Sequence, residues 1–492
     1  RRHNLINNLK KIIFLKCLRV RTLNLNNIKS YIMHSNRRKF IKDASLLSAG
    51  VISGISGVSA SSSSMSAESY RRIIGSNDRI NVGIVGFSSR AKGSLIPAFQ
   101  NHAKNQNCQI VGVSDIWNRR REDGKAFLEE KTGKKIKTWR NNEEMYDKNK
   151  IDAVIISTAD FQHALHTVQA ANAKKDVYVE KPFAETMADA RVGLKAANDA
   201  GIVLQVGSQR RSGKNYHAAE KYIKSGAFGD VVMVEMTWNV NQPGRWRVYP
   251  NKVSDIRESD TDWKRYLMNR PYEKWDPRKY LEYRLFWPFS SGIPGQWMAH
   301  QIDTVHWFSG LAHPRSVAAN GGIYLWKDGR SNFDTMTAVF DYGPLNDLSS
   351  GFQVVYSSRF TNSAGGTKEI YYSNGGELNM KTNKVTPNGG LSERHSKSMN
   401  MKPNQLDEFS LSNIKTKVVT SANTGVDDMT SNHMLNWMEC IRSREKTNAP
   451  VEVGYNHSIA NIMTTASMRT GLKATFDEKN QDVLAGGKVF QY

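Results

Sequence analysis

A chain of 492 residues exceeds what a single hydrophobic core supports and has room for two domains plus appendages. Its formal charge of +23 is unevenly spread: residues 1–60 hold twelve Lys or Arg and one acid, and the other 432 hold 57 basic and 45 acidic groups. That scattered excess argues against a nucleic-acid-binding protein, and Cys17, Cys108 and Cys440 offer neither metal-ligand spacing nor a disulfide framework, although the last two could pair in an oxidising compartment.

The first basic, Asn-rich stretch has no apolar periodicity, and a start at Met33 suits the pattern of the next residues better. Asn36-Arg37-Arg38-Lys39-Phe40-Ile41-Lys42 leads into a modest apolar stretch from Ala44 to Ile55 and then Val58-Ser59-Ala60. Paired arginines, a nearby aromatic, a weakly hydrophobic core and a small-x-Ala site resemble, in that order, a twin-arginine export signal over residues 33–60. The core is too short and polar for a stable membrane span. Because this route carries folded proteins, the leader predicts a periplasmic or otherwise exported protein that engages the twin-arginine machinery and carries a bound cofactor. Residues 61–78 read as a polar linker.

Ile80 to Gly86 reads as a short apolar strand closing on glycine, followed by a helix from about Ala91 to His102 with Leu95, Ile96 and Phe99 at helical spacing. Against the G-x-G-x-x-G/A dinucleotide fingerprint, Gly86 fills the first place and Ala91 the third, while Ser88 replaces the glycine that admits the pyrophosphate. A slightly wider turn accommodates serine, whose hydroxyl, with Arg90, can bind phosphate above the helix N-terminus. A second strand, Gln109 to Ser114, ends on Asp115, 29 residues after Gly86. A carboxylate there accepts hydrogen bonds from an adenosine 2′-hydroxyl and repels a 2′-phosphate, so NAD is expected; Arg119, Arg120 and Arg121 leave NADP open.

Further strands at Ile151–Ser157, Val177–Val179 and Ile202–Val206, with helices at Phe161–Ala173 and Met187–Ala200, predict a doubly wound parallel sheet over residues 79–206. Ser157, Thr158, Asp160 and His163 fall on the same carboxyl edge as Gly86 and Asp115; His163 reads equally well as a satisfied residue at a helix start. The strand Val177-Tyr178-Val179 runs straight into Glu180-Lys181-Pro182, where the proline stops the ladder and delivers Glu180 and Lys181 to the crevice. Lys181 is thus the candidate for chemistry, against the plainer alternative of a surface Lys-Pro turn.

Taken in order, Ile80 to Ala91, Asp152 to Asp160 with His163, Glu180-Lys181-Pro182 and Val206-Gly207-Ser208-Gln209-Arg210-Arg211 resemble the Gfo/Idh/MocA family of sugar and polyol oxidoreductases, a likeness running from about Ile80 to the C-terminus. The resemblance implies a Rossmann domain whose lysine, here Lys181, lies beside the nicotinamide and the reacting hydroxyl, often before a cis proline. It also places Glu180 and Gln209 at the cofactor and Arg210 at the substrate. Residues 207–492 should then form an α+β domain with a large open, mostly antiparallel sheet that binds a sugar and joins subunits of a homo-oligomer. Strands at Val231–Trp238, Arg315–Tyr324, Asp334–Tyr342 and Gly351–Phe360 suit that sheet.

Members of the family commonly carry an acid four residues before a histidine that shuttles the substrate proton. In Gly295-Gln296-Trp297-Met298-Ala299-His300-Gln301-Ile302-Asp303 the histidine is His300 and Gln296 takes the acid's place. Gln296 and Trp297 would then meet substrate, and Asp303, one turn on, would orient the His300 ring; a structural His300 packed between Trp297 and the sheet is the alternative. The closing segments Asn436–Arg444 and His457–Thr470 are expected to pack and to contact a neighbouring subunit, and no metal is expected. Three functions are compatible with these features, in order of preference. The first is an exported nicotinamide-dependent oxidoreductase of a sugar or sugar derivative that holds its NAD(P) tightly. The second is a glycosidase that oxidises C3 transiently, eliminates the aglycone and reduces the carbonyl back. The third is a cofactor-free sugar-binding protein.

Overall fold

The computed structural model describes residues 78–147, 150–241, 246–247, 250–402, 404–414 and 427–491; the expected export signal and nearly all of the linker lie outside them. Apolar runs become strands covered on both faces, as a parallel sheet requires. β1 (Ile80–Val85), β2 (Cys108–Ser114), β3 (Lys137–Trp139), β4 (Ala153–Ile156), β5 (Asp176–Val179) and β6 (Leu204–Val206) form a parallel sheet in the order β3-β2-β1-β4-β5-β6. β3 carries no sequence signal, being three residues long, largely exposed and at the sheet edge. The order reverses between β1 and β4, which opens a crevice at the carboxyl ends of these strands.

The helix after β1 departs from the expected α-helix. Ala91–Leu95 is a π-turn, in which the Ile96 N–H bonds the Ala91 carbonyl, and only Ile96–Ala103 (α1) is α-helical. Pro97 explains the widening, because it has no N–H to donate and its ring crowds the carbonyl one turn back. α2 (Asn118–Thr132), α3 (His163–Asn172) and α4 (Met187–Ala200) complete the layer. α4 starts where Thr186 Oγ1 accepts the Asp189 N–H at 3.0 Å.

α5 (Lys214–Lys224) leads into the second lobe. There β7 (Val231–Asn239), β8 (Ser316–Gly322), β9 (Thr335–Tyr342), β10 (Phe352–Arg359), β11 (Thr367–Ser373), β12 (Gly376–Asn379), β13 (Lys384–Thr386), β14 (Phe409–Ser410), β15 (Ala474–Asp477), β16 (Asp482–Ala485) and β17 (Lys488–Val489) make one sheet. Their order is β14-β13-β12-β11-β7-β10-β9-β8-β15-β16-β17, antiparallel except for the parallel β7–β10 pair. Alternation fixes the register: Met336, Ala338, Phe340 and Tyr342 of β9 point inward, while Thr337 and Val339 are exposed.

Three further helices are α6 (Ala299–Ser309), α7 (Asp428–Ser443) and α8 (Val451–Thr470). α8 packs against α4 and β6 of the first lobe and against α6 and β8 of the second, so it is buried along most of its length. α7 returns to the first sheet, where Met434, Trp437, Met438 and Ile441 share a buried cluster with Ile80, Val82 and Tyr178. The first lobe is therefore completed by a segment from near the other end of the chain. Cys108 and Cys440 belong to the same cluster as free thiols, both pushed up to about 11 by burial, and no disulfide joins them. A third cluster, with Trp263, Tyr266, Leu285, Phe286 and Phe289 against Ala159 and Phe161, caps the carboxyl edge beyond β4. No helix among the described residues is long and apolar enough to cross a membrane.

Candidate active site

The carboxyl ends of β1, β2 and β4 border a cleft of about 920 Å³, lined by Gly86, Ser88, Arg90, Asp115, Ser157 and Thr158. Gly86 has φ +82°, and a Cβ there would lie 2.7 Å from Thr158 Cγ2, so the turn requires glycine. Ser88 Oγ accepts the Ala91 N–H at 3.2 Å and thereby caps the π-turn, with its own hydrogen left for a ligand. Asp115 receives the Phe87 and Trp117 N–H groups, each at 2.9 Å, which fix its carboxylate at the cleft with lone pairs to spare. Arg119 is committed to Asp255 (2.5 Å) and Asp260 (3.6 Å), whereas Arg120 stays on the cleft wall, bonded to the Phe87 carbonyl at 3.1 Å. Thr158 Oγ1 is buried with no hydrogen-bond partner, the kind of orphan a bound ligand satisfies. The glycine turn, the carboxylate at the end of β2 and this orphan hydroxyl fit a dinucleotide.

The remaining residues expected at the cofactor stand behind the cleft wall. Ala91 is buried at the helix start. Glu180 accepts the Arg90 Nε at 3.0 Å, so that guanidinium is braced against the end of β5 instead of standing free over a phosphate. His163 is a buried tie between two strand ends, its Nδ1 2.8 Å from the Pro182 carbonyl and its Nε2 3.3 Å from that of Thr158. Gln209 opens a short turn outside the cleft with its Oε1 unpartnered. Asp160 turns away from any dinucleotide toward the second lobe. Its carboxylate accepts Ser290 Oγ (2.6 Å), Gln296 Nε2 (2.5 Å) and Tyr283 OH (3.3 Å).

Lys181 lies two residues beyond the end of β5, before a cis bond to Pro182. Beyond the proline, Phe183 N–H donates to His457 Nε2 and Ala184 N–H to Ser458 Oγ, both at 3.2 Å and both on α8. The turn is thus pinned from both lobes. The lysine is half-buried and its ammonium donates to the main-chain carbonyl of Gln296, which disposes of the surface-turn alternative. Burial pushes its pKa down to about 8 against the opposing pull of Asp160 and Glu180. An amine so close to neutrality suits proton exchange with a hydroxyl.

Gln296 links this lysine to the rest of the site. Its Nε2 holds Asp160, and its Oε1 accepts the Nε of Arg284 at 2.9 Å. Arg284 and Tyr283 line the cleft, as do Gln162 and Tyr266. None of these four carried a motif; the signal available was the aromatic-rich stretch between Trp263 and Trp287.

His300 lies tilted against Trp238, with ring centroids 5.8 Å apart. Burial, reinforced by the charges of Lys181, Arg210 and Arg90, holds its pKa well below the ordinary value, so the ring is neutral. The expected His300–Asp303 couple does not form. Arg211 takes both Asp303 oxygens, with Nε at 3.1 and 2.9 Å and Nη2 at 2.9 Å. One turn along α6 carries Asp303 to the short turn that presents Arg211, so Asp303 is a clamp between lobes and not a partner of the histidine. Arg210 pairs with Glu369, which Thr304 Oγ1 also holds at 2.6 Å. Trp297 is 3% exposed, stacked on Trp238 at 5.7 Å and edge-on to Phe360 at 4.4 Å, and belongs to the core instead of a substrate surface.

Fold and site together define a dinucleotide-binding Rossmann lobe joined to an open-sheet lobe. Residues 80–208 match the model of the Gfo/Idh/MocA oxidoreductase family, described as an NAD-binding Rossmann fold. The chain is 29% identical over 181 residues to Oxidoreductase P35 of Formosa agariphila, covering 35% of this chain and 54% of that protein. It is 26% identical over 180 residues to myo-inositol 2-dehydrogenase of Thermotoga maritima, covering 35% and 52%. The chain thus spans about half the length of the curated relatives it matches. Among solved structures, levoglucosan dehydrogenase in complex with NADH and levoglucosan superposes with a TM-score of 0.57 at 15% identity, over 81% of this chain and 99% of that one. The Bordetella pertussis WlbA dehydrogenase in complex with NADH and UDP-GlcNAcA gives 0.55 at 17% identity, over 81% and 99%. At these identities the likeness is one of fold, and it extends through both lobes.

Proposed function

We propose that the protein is an NAD(P)-dependent oxidoreductase acting on a CH–OH carbon of a sugar or cyclic polyol. One observation carries this reading: a half-buried lysine with a pKa of about 8, fixed by both lobes and bonded to Gln296, the residue that holds Arg284 on the wall of a cleft that fits a dinucleotide. The names of the relatives, an inositol dehydrogenase and a levoglucosan dehydrogenase, point the same way.

When bound, the dinucleotide supplies the hydride acceptor or donor. In the oxidative direction the carbon loses hydride and its hydroxyl loses a proton, and this chain's part is the proton. Lys181 as the neutral amine accepts it, held in place by the Gln296 carbonyl; in reduction the ammonium returns it. Neutral His300 is too weak a base to keep a proton and serves as a hydrogen-bond partner of the hydroxyl. Mixing the full chain with NAD or NADP and a panel of inositols and anhydrosugars should produce the reduced-nicotinamide absorbance. Absence of both turnover and dinucleotide binding would remove the reading.

We further propose export by the twin-arginine route with the dinucleotide already held, on the strength of the Arg37-Arg38 run and the small-x-Ala site at Ala60. Free NAD is scarce outside the cell, so an exported enzyme needs slow release, which the aromatic cap over the cleft favours. Replacing Arg37 and Arg38 by lysines should retain folded, loaded protein inside the cell; export equal to the parent would end this part of the proposal. Assembly into a homo-oligomer is part of the same reading and is checked by light scattering.

A further inference from the structure

Each half-buried arginine near Lys181 except one has a carboxylate of its own among the described residues. Arg90 pairs with Glu180 at 3.0 Å, Arg210 with Glu369, and Arg211 with Asp303 at 2.9 Å. Arg284 has none. Its Nε donates to the neutral amide oxygen of Gln296, and its two terminal nitrogens make no hydrogen bond among the described residues. The nearby anion Asp160 already receives Ser290, Gln296 and Tyr283, and Glu180 is taken by Arg90. The guanidinium sits over the Tyr283 ring, 4.6 Å from its centroid, which fixes the plane of the fork on the cleft wall.

An arginine cannot discharge itself by losing a proton; Asp160 and Glu180 favour its charged form across space, but among the described residues neither carboxylate forms an ion pair with it. The side chain at 296 sharpens the point. A carboxylate there would neutralise Arg284, whereas the amide positions the fork and leaves its charge available. Because Gln296 holds Arg284 through its side chain and Lys181 through its main chain, the free fork and the proton acceptor are set by one residue. The pyrophosphate of a dinucleotide is expected at the helix start near Ser88, where the backbone N–H groups favour an anion.

We infer that Arg284 anchors a carboxylate of the substrate, so that the site takes an acidic sugar in preference to its neutral counterpart. This rests on the oxidoreductase reading and narrows its substrate class. The test uses the full chain and pairs differing only at C6, glucose against glucuronate and galactose against galacturonate. Two quantities are measured, kcat/KM with NAD and calorimetric binding to the NADH-loaded protein. A charge-assisted fork is worth about ten- to a hundredfold, so the acid should exceed its neutral partner by that factor. Arg284→Gln should remove most of the preference and Arg284→Lys part of it. Equal use of both members, or preference for the neutral one, overturns the inference and leaves the oxidoreductase reading standing. If wild type shows no acid preference and Arg284→Gln weakens NADH itself, the fork belongs to the pyrophosphate and the inference is likewise overturned. If NADH binds but neither member is oxidised, these pairs are not turned over and the oxidoreductase reading is left to its own panel. Calorimetry then decides: acid-selective binding supports the anchor, and no binding overturns it.

Discussion

Lys181 and Gln296, 115 positions apart in the chain, are joined by a hydrogen bond from the lysine ammonium to the glutamine main-chain carbonyl. The first residue lies just beyond β5 of the Rossmann sheet and the second lies in the helical turn Pro294–Met298 that leads into α6. The ammonium is therefore placed by the contact between lobes, and changes that loosen this contact should register at the site before they register in either core.

Asp303→Asn tests the clamp. Breaking a buried ion pair leaves Arg211 with an uncompensated charge and costs on the order of 3–5 kcal/mol. The urea midpoint should fall, while kcat per folded molecule and its pH profile stay close to wild type. If instead Asp303 oriented His300, the pH profile would move and stability would hold.

Asp115→Ser should shift selectivity from NAD toward NADP, because it removes the charge opposite a 2′-phosphate and leaves Arg120 on the wall. Arg119 is occupied by Asp255 and Asp260, so the shift should survive Arg119→Ala and be lost with Arg120→Ala. Comparing kcat/KM for the two dinucleotides in each variant checks this.

Glu185 is buried with Oε1 unpartnered, and burial chiefly pushes its carboxyl from 4.5 up to about 8. The unfolded chain gives up this proton near pH 4.5 and the native one only near 8, so this group's contribution to stability declines as pH rises through that window. Glu185→Gln cannot ionise. Its melting temperature relative to wild type should therefore climb from acid pH toward pH 8, and a difference that ignores pH would contradict the assignment.

The features legible in the sequence are those that short-range rules control. Gly86 is readable from its turn, Asp115 from its strand end, and Lys181 from the proline that stops β5; β7 to β10 are readable from alternation. The π-turn at Ala91 also had a visible cause in Pro97. The partners are a different matter. That Arg211 rather than His300 meets Asp303, that Asp160 faces Ser290 and Gln296 in place of the cofactor, and that Arg284 enters the cleft all depend on how the two lobes dock. No local period encodes these contacts, and the aromatic cap that carries Arg284 has no regular spacing from which to read its burial.

The central claim is that Lys181 exchanges the hydroxyl proton, and the pH profile of oxidation tests it most directly. The neutral amine is the active form, so kcat should rise with pH and level off beyond about 8, where burial places its pKa. Lys181→Met should still bind NADH, lose about a hundredfold or more in kcat, and show no rise near that pH. A Lys181→Met variant that keeps most of its turnover, or that keeps the rise, would contradict the account.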